Sequence, residues 1–406
     1  MYDMILKNGH VIDPANERDG IMDVALNDGK IARVAPDIAS EEGEKILDLK
    51  GCYIIPGIID IHAHCYPMLP LPKTMIPTIN ADAHMLRAGV TTTVDAGTVG
   101  WRHFVDFKRS VIDRSVVRVL AFLNIAAGGM VEMESEQTLA DLQPGICAEV
   151  IKAFPEHLVG VKTAHYWGSK PFDDLHPSWG SVDKTIEAGE LAGKPVMVDF
   201  QPNRHGNSYR DLITKKMRPK DIHTHVFAQQ FPIVDENCKV YDHMWEAREK
   251  GIFFDLGHGA GSFWFRNAVP AFNDGFSIDT ISTDLHMANI YGSVLSMLNI
   301  MSKMLNIGMP LQEVIMRSTS EPARLINRPD LGNLSEGACA DIAVLELNEG
   351  DYNYIDCGRA RMNGTSALNC LMTFREGKIV FDYTGISMPE WQDAPESYWN
   401  CPSLFL

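Results

Sequence analysis

The sequence of 406 residues lacks several features that mark particular classes of protein. Its eight cysteines include no CxxC pair, and no apolar run approaches the roughly 18 residues that span a bilayer. The N-terminus has no basic stretch followed by an apolar segment, which argues against a signal peptide. We therefore expect free, mostly buried thiols instead of a disulfide framework, and a cytoplasmic protein.

Basic residues are also scarce. Lys and Arg total 36 against 53 Asp and Glu, which gives a formal net charge of −17. Because nucleic acids and anionic membranes attract basic surfaces, we expect neither as a partner and expect a small-molecule substrate instead. The composition is otherwise that of an ordinary globular protein, with 45% hydrophobic and 22% charged residues. Its 14 histidines become informative once their positions are considered.

Short strands separated by turn residues are predicted at both ends of the chain. In the first fifty residues, Asn8-Gly9 and Asp28-Gly29-Lys30 interrupt apolar runs and predict turns. In the last seventy, residues 341–345 are a predicted strand, and residues 373–380 are a predicted hairpin that turns at Glu376-Gly377. The two ends, residues 1–53 and 336–406, therefore look like halves of one small β domain.

The segment between these ends, residues 54–335, alternates β-branched runs with amphipathic stretches. Strands are predicted at 55–61, 91–95, 117–123, 158–163, 195–200, 221–227, 252–256 and 277–283, and helices at 139–153, 182–192, 241–250 and 294–305. Eight strands with intervening helices predict an α/β fold of the (β/α)8 barrel type. A doubly wound open sheet is the competing architecture, but no glycine-rich phosphate loop follows the first strand.

Several predicted strands end in ionisable residues, at the edge where barrels of this type carry their active sites. His62 and His64 end the first strand, and residues two apart on a strand share a face. His225 ends the sixth strand, whereas His223 is expected deeper, as a core or supporting residue. The seventh and eighth strands are followed by His258, Asp284 and His286.

Lys162 lies in the otherwise apolar fourth strand, where a buried ammonium group is costly. Two interpretations are open. Lys162 is either a structural residue in an ion pair, or its amine has combined with carbon dioxide to form a carbamate that bridges two metal ions.

These motifs together resemble those of the amidohydrolase superfamily, metal-dependent hydrolases built on a (β/α)8 barrel. The resemblance covers essentially the whole chain and rests on PGIIDIHAH at 56–64, AGVTTTVDAG at 88–97, VGVKTAH at 159–165, DIHTHVF at 221–227, DLGHGAGSF at 255–263 and STDLH at 282–286. The segments that begin at Ser320 and Gly337 are similar to the family's return into its small β domain. DLGHGAGSF resembles a dihydroorotase-like or deacetylase-like branch that hydrolyses acylated small molecules.

The resemblance implies a site for two divalent metal ions, Zn²⁺ or else Mn²⁺ or Fe²⁺. His62, His64 and Asp284 would hold one ion. Lys162, as its carbamate, would bridge to a second ion that also takes His225. Asp284 would act as general base, orienting the attacking hydroxide and passing its proton to the leaving amine.

One position departs from the family pattern. Asp199 ends the fifth strand, where the superfamily usually has a metal-binding histidine. Asp199 either replaces that ligand, or the second metal is weak or absent; His205 is a less favoured substitute. The change disfavours the mononuclear deaminases of the superfamily, which depend on the missing histidine.

The substrate is the least constrained part of the prediction. Tyr66 stands where dihydroorotases typically place an arginine that holds the substrate carboxylate. The residues expected to contact substrate are His258, Arg102, Tyr166 and His286. We expect a homo-oligomeric enzyme that hydrolyses an amide, or an ester, in an acylated small molecule such as an N-acyl amino acid. The alternatives are a cyclic amidase of the hydantoinase kind and a non-catalytic scaffold with the same fold.

Overall fold

The computed structural model describes residues 1–66, 78–132, 134–165, 172–203 and 206–399. The strands in these ranges are β1 (Tyr2–Asp13), β2 (Arg18–Asn27), β3 (Lys30–Ala35), β4 (Gly43–Asp48), β5 (Tyr53–Pro56), β6 (Ile58–Ala63), β7 (Val90–Gly100), β8 (Arg118–Asn124), β9 (Leu158–His165), β10 (Val196–Phe200), β11 (Ile222–His223), β12 (Phe253–Phe254), β13 (Ile342–Ile355), β14 (Arg361–Arg375) and β15 (Lys378–Asp382). The α-helices are α1 (Ala81–Met85), α2 (Phe104–Phe107), α3 (Pro144–Ala153), α4 (Gly180–Ala192), α5 (Tyr209–Asp211), α6 (Asp242–Lys250), α7 (Phe265–Asn273), α8 (Met297–Ile307), α9 (Leu311–Met316), α10 (Ser320–Leu325) and α11 (Glu396–Trp399).

Strands β6 to β12 form one parallel sheet in sequence order, and this sheet curls into a barrel. Its two edges are joined by the segment that follows Ile278, because Thr280 bridges Asp255 next to β12 and Leu285 bridges Ala63 of β6, both in parallel. The predicted TIM-barrel architecture is therefore confirmed, with a curled parallel sheet of seven strands.

The predicted eighth strand, residues 277–283, is wrong in detail, because the structure has only isolated bridges there. Side chains occupy the backbone donors that a strand ladder would use: Thr283 N–H donates to Asp60 Oδ1, and Leu285 N–H donates to the hydroxyl of Thr283. Asp284 also adopts a left-handed conformation with φ of 50°. This segment is thereby shaped by polar contacts and not by strand pairing.

The sixth predicted strand, residues 221–227, is likewise shorter than expected, since β11 covers only two residues. His225 has a φ of 66°, which no strand allows, so the chain turns just where His225 reaches the barrel edge. His223 is fully buried, donates from Nδ1 to the carbonyl of Val198 and lies against the ring of Tyr209. It is a core residue, one of the two roles that the sequence left open.

The second sheet has the order β15-β14-β13-β5-β1-β2-β3, with β4 paired to β1, and so contains strands from both ends of the chain. The turns at Asp28-Gly29 and Glu376-Gly377 form as predicted, with positive φ at all four residues. The turn predicted at Asn8-Gly9 is wrong, because both residues lie inside β1. The register shifts there, and Asn8, with φ of 61°, forms a bulge whose N–H donates to Asp23.

Gly57 separates the two sheets and divides the strand predicted at 55–61 into β5 and β6. A Cβ atom at Gly57 would lie 2.2 Å from the Thr91 hydroxyl, so only glycine allows this close approach. Arg118 of β8 ties the barrel to the other sheet through a 2.6 Å ion pair with Asp341. The division at residues 53/54 and 335/336 stays a prediction.

Apolar side chains from six of the seven barrel strands pack together with α10 and the residues after it. This cluster comprises Ile59, Ile61, Val94, Ala96, Leu120, Phe122, Val159, Met197, Ile222, Ala323, Leu325, Ile326 and Leu331. Because it fills one end of the barrel, the C-terminal strand ends are left for polar groups. Among the described helices, none combines the length and apolar character needed to cross a bilayer.

Candidate metal centre

Three potential metal ligands converge at the C-terminal edge of the barrel. Ligand atoms of His62, His64 and Asp284 all lie within 4.8 Å of one another, and the three side chains are buried. Nε2 of His64 lies 3.0 Å, and Nε2 of His62 3.7 Å, from Oδ1 of Asp284. The i, i+2 spacing at the end of β6 brings the two imidazoles together, and the closing bridge between Ala63 and Leu285 sets Asp284 beside them.

His225 and Asp199 form an adjoining pair. Nε2 of His225 lies 3.2 Å from Oδ2 of Asp199, and the His62 and His225 ring centroids are 5.0 Å apart. Burial lowers the pKa of His225, but the neighbouring Asp199 carboxylate outweighs it and raises the pKa to about 9. Nδ1 of His225 donates to the carbonyl of Gly257 at 2.5 Å, so Nε2 is the nitrogen that faces Asp199.

Lys162 lies between these two groups. It is fully buried on β9, and its Nζ is 3.4 Å from Nε2 of His62. Burial lowers the pKa of Lys162, and this effect exceeds the opposing attraction of Asp199 and Asp284. Gly97 makes room for the side chain, since a Cβ atom at Gly97 would lie 2.6 Å from Lys162 Cγ.

A cavity of about 370 Å³ opens in front of these residues. Its wall includes His62, His64, Met130, Glu136, Ala164, Asp199, Gln201, His225, Ala260, Gly261, Ser262, Asp284 and His286. Nδ2 of Asn124 donates to Glu136 at 2.8 Å, and burial raises the pKa of Glu136 to about 7. This volume matches the lower range of small-molecule sites.

The structure brings together all six residues predicted to bind metal, namely His62, His64, Lys162, Asp199, His225 and Asp284. Of the predicted substrate contacts, His286 lies on the cavity wall. Tyr166 falls outside the described residues, as does His205.

Two predicted substrate contacts lie elsewhere. Arg102 is paired with Glu132 and Asp141 at 3.0 and 2.9 Å, with 39% of its side chain exposed. His258 is fully buried, and its Nε2 accepts a 2.8 Å hydrogen bond from Lys303. The described structure does not bring either side chain to the cavity wall.

The sequence did not single out the residues that support the histidines. Thr224 and Thr98 contact the Nδ1 atoms of His62 and His64, and Asp255 and Asp95 accept from the threonines. Glu136 was also missed. The sequence feature that could have indicated the supporting residues is an aspartate or threonine near the end of a strand, as in DAGT at 95–98 and HTH at 223–225.

The site can hold a metal ion on the evidence of its own polar atoms. Oδ1 of Asp284 is buried and, within the described residues, accepts no hydrogen bond, although Nε2 of His64 is close. A buried carboxylate oxygen without a hydrogen bond destabilises the folded protein unless a nearby cation balances its charge. Imidazole nitrogen and carboxylate oxygen are the donors that Zn²⁺ and similar ions prefer.

Comparison with known proteins finds two similarities in sequence. A model of the amidohydrolase family matches residues 265–380. A deacetylase of Enterococcus faecalis is 28% identical over 381 residues, covering 93% of this chain and 99% of the relative.

Two solved structures extend the likeness to the three-dimensional fold. An adenine deaminase superposes with a TM-score of 0.81 at 26% identity, covering 94% of this chain and 100% of that one. A dihydroorotase superposes with a TM-score of 0.80 at 25% identity, covering 93% of this chain and 99% of that one.

Proposed function

We propose that this chain, which is similar in sequence and fold to members of the amidohydrolase superfamily, is a metal-dependent hydrolase of the amide bond in an acylated small molecule, such as an N-acyl amino acid. The observation that carries the proposal is the buried cluster of His62, His64 and Asp284, whose ligand atoms lie within 4.8 Å of one another. The likeness to a deacetylase along nearly its whole length supports an acyl group as the part that is removed.

His62, His64 and Asp284 would hold one divalent ion, and His225 with Asp199 would hold a second. Lys162, as its carbamate, would supply the oxygen atoms shared by both. Ions held in this way lower the pKa of water and polarise a carbonyl group. The mixed imidazole and carboxylate donors support Zn²⁺ as the ion.

Asp284 is the residue best placed to move a proton. Its carboxylate reaches the cavity, and its backbone is held by an N–H donation to the carbonyl of His62 at 2.6 Å. A carboxylate fixed in this way can take the proton of the attacking water and return it to the leaving amine.

His286 is the second residue to which we assign a role. Burial lowers the pKa of His286 and so favours the neutral imidazole. Its Nδ1 accepts the N–H of Ala288 at 3.3 Å, so the ring proton is on Nε2. On the cavity wall, this N–H can donate to an oxygen of the substrate.

A cyclic amidase of the hydantoinase kind is the second candidate, because the fold superposes closely on a dihydroorotase. The cavity residues suit either substrate. Tyr66, at the position of the missing arginine, is committed to a 2.5 Å hydrogen bond with Asp106 and so offers no cation to a substrate carboxylate. This contact favours the linear acylated substrate.

The test begins with protein purified without chelator, analysed for divalent metal and assayed with N-acetyl amino acids beside hydantoin, dihydrouracil and dihydroorotate. We expect stoichiometric metal and hydrolysis of the linear set. Asp284→Asn should abolish turnover, whereas Asp113→Asn, at a partly exposed surface carboxylate, should not change it. Hydrolysis of the cyclic set alone would favour the second candidate.

Protein with neither metal nor hydrolysis would instead be the non-catalytic scaffold. Full activity of Asp284→Asn would remove the assigned proton transfer. Homo-oligomerisation stays a prediction that the molecular mass in solution will decide.

A further inference from the structure

His62 is held by a chain of hydrogen bonds that ends at a buried aspartate. Its Nδ1 lies 2.9 Å from Oγ1 of Thr224, and that hydroxyl donates to Oδ2 of Asp255 at 2.7 Å. The hydroxyls of Thr280 and Ser282 also donate to Asp255, at 2.7 Å each to Oδ1. Asp255 is fully buried, and these hydroxyls keep its acceptor positions filled.

His64 has a matching arrangement built from a different strand. Its Nδ1 lies 2.8 Å from Oγ1 of Thr98, and that hydroxyl donates to Oδ2 of Asp95 at 2.8 Å. The backbone N–H groups of Thr98 and Cys65 also donate to Asp95, at 2.8 Å each. Asp95 and Thr98 are fully buried.

The direction of each chain follows from counting protons. A threonine hydroxyl has one proton, and in both chains that proton is directed at a carboxylate that can only accept. The hydroxyl oxygen can therefore only accept from the imidazole, so Nδ1 of His62 and of His64 must carry the ring proton. A neutral ring with its proton on Nδ1 leaves Nε2 with a lone pair, which is the atom that a metal ion can bind.

We infer that Thr224 with Asp255, and Thr98 with Asp95, are positioning residues that fix the tautomers of His62 and His64 so that both Nε2 lone pairs face the metal centre. The inference rests on the proposed function, because it assigns support to the same site. Without these hydroxyls, each ring is free to carry its proton on Nε2, and a metal must then displace it. The expected consequence is weaker metal binding.

The two chains also fix where the rings lie. Thr224 and Asp255 follow two neighbouring barrel strands, β11 and β12, so the first chain ties His62 of β6 across the barrel mouth. The second chain lies within β7, the direct neighbour of β6. The two histidines are therefore held from opposite sides, and the loss of either hydroxyl should affect its own ring alone.

The first measurement is the ring-nitrogen NMR spectrum of metal-free wild-type protein with ¹⁵N-labelled histidine, assigned through His62→Gln and His64→Gln. We expect protonated Nδ1 and unprotonated Nε2 for both residues. A wild-type spectrum with the proton on Nε2 of either ring would overturn the inference for that ring, whatever the protein hydrolyses.

The second measurement is the affinity for Zn²⁺, obtained by competition with a chromogenic chelator. Thr224→Val and Thr98→Val preserve shape but remove the hydroxyl, and we expect each to weaken Zn²⁺ binding by about 10- to 100-fold. Thr224→Ser and Thr98→Ser should restore most of the affinity, which a purely packing role would not predict. Thr93→Val is the matched control, because the buried Thr93 hydroxyl bonds to neither histidine within the described residues.

Wild-type affinity in both folded valine variants would refute the link between hydroxyl and metal. If a valine variant does not fold, its serine partner and the wild-type spectrum still decide the tautomer. If wild-type protein binds no Zn²⁺ at all, the proposed function fails, and the spectrum remains a separate test of the two hydrogen-bond chains.

Discussion

Nε2 of His64 lies 3.0 Å from Oδ1 of Asp284, and within the described residues this oxygen has no geometrically satisfactory hydrogen bond. If Nδ1 of His64 carries the ring proton, both atoms present lone pairs at this short distance. Such an arrangement is repulsive on its own and becomes favourable when a cation lies between the donors. The stability of this corner of the barrel should therefore depend on metal.

Removal of the metal is expected to lower the thermal stability of the protein. A ligand that binds only the folded state at 100 times its dissociation constant stabilises it by about 2.7 kcal/mol. We expect Zn²⁺ to raise the Tm of chelator-treated protein, as measured by calorimetry. Asp284→Ala, which lacks one donor, should lose most of this rise. An unchanged Tm in wild-type protein with and without Zn²⁺ would contradict the assignment.

Gly259 is predicted to be essential for the position of Asp284. Its φ is 57°, and a Cβ atom there would lie 2.5 Å from Oδ2 of Asp284. Gly259→Ala should cost about 1–2 kcal/mol in backbone strain, and displacement of the carboxylate should reduce kcat/KM by about 100-fold. The matched control is Gly261→Ala, because a Cβ at Gly261 would meet no atom within 4 Å. Equal losses of kcat/KM in the two variants would contradict the prediction, because they would show that this loop tolerates no side chain at either position.

Lys303 should make stability depend on pH in the alkaline range. It is fully buried against His258, and burial lowers the pKa of Lys303 to about 7. Between pH 7 and roughly 10.4 the unfolded chain binds a proton that the folded chain does not, so the free energy of unfolding rises with pH. The slope due to Lys303 is at most about 1.4 kcal/mol per pH unit.

Lys303→Met should remove this rise when urea unfolding is compared at pH 7.5 and 9. Lys184→Met, which changes a lysine with 39% of its side chain exposed, should keep the wild-type slope. A Lys303→Met slope equal to that of wild type would mean that Lys303 keeps its proton in the folded state.

The barrel could be predicted from its apolar strands. The residues around the cavity could be predicted because they interrupt the apolar pattern of those strands. A lysine such as Lys162 inside an apolar strand is costly to bury, so it stands out where a leucine would not. The HxH spacing then sets His62 and His64 on one face. Asp199 could be recognised for the same reason, as a charge at the end of an apolar strand.

The supporting residues could not be found in this way. Thr98 lies in β7 and Thr224 directly follows β11, and threonine is so common in strands that its hydroxyl gives no separate signal. The role of Thr224 depends on Asp255, which lies 31 positions later and is brought near by the curvature of the sheet. The bulge at Asn8 was mistaken for a turn for a related reason. An asparagine with positive φ occurs both in turns and in β-bulges, and only the pairing of β1 with β2 shows that this one is a bulge.

Carbon dioxide is expected to promote metal binding through Lys162. A neutral amine is needed, because its nitrogen forms a bond to the carbon of carbon dioxide and releases a proton, and burial lowers the pKa of Lys162 in the required direction. Zn²⁺ uptake by chelator-treated protein should therefore increase when bicarbonate is added to carbon dioxide-free buffer. Lys162→Met should bind Zn²⁺ more weakly and show no response to bicarbonate, whereas Lys303→Met, at another fully buried lysine, should respond as wild type does. Equal Zn²⁺ uptake by wild-type protein in both buffers would leave Lys162 as an ion-paired structural residue, with its unmodified amine 3.4 Å from His62.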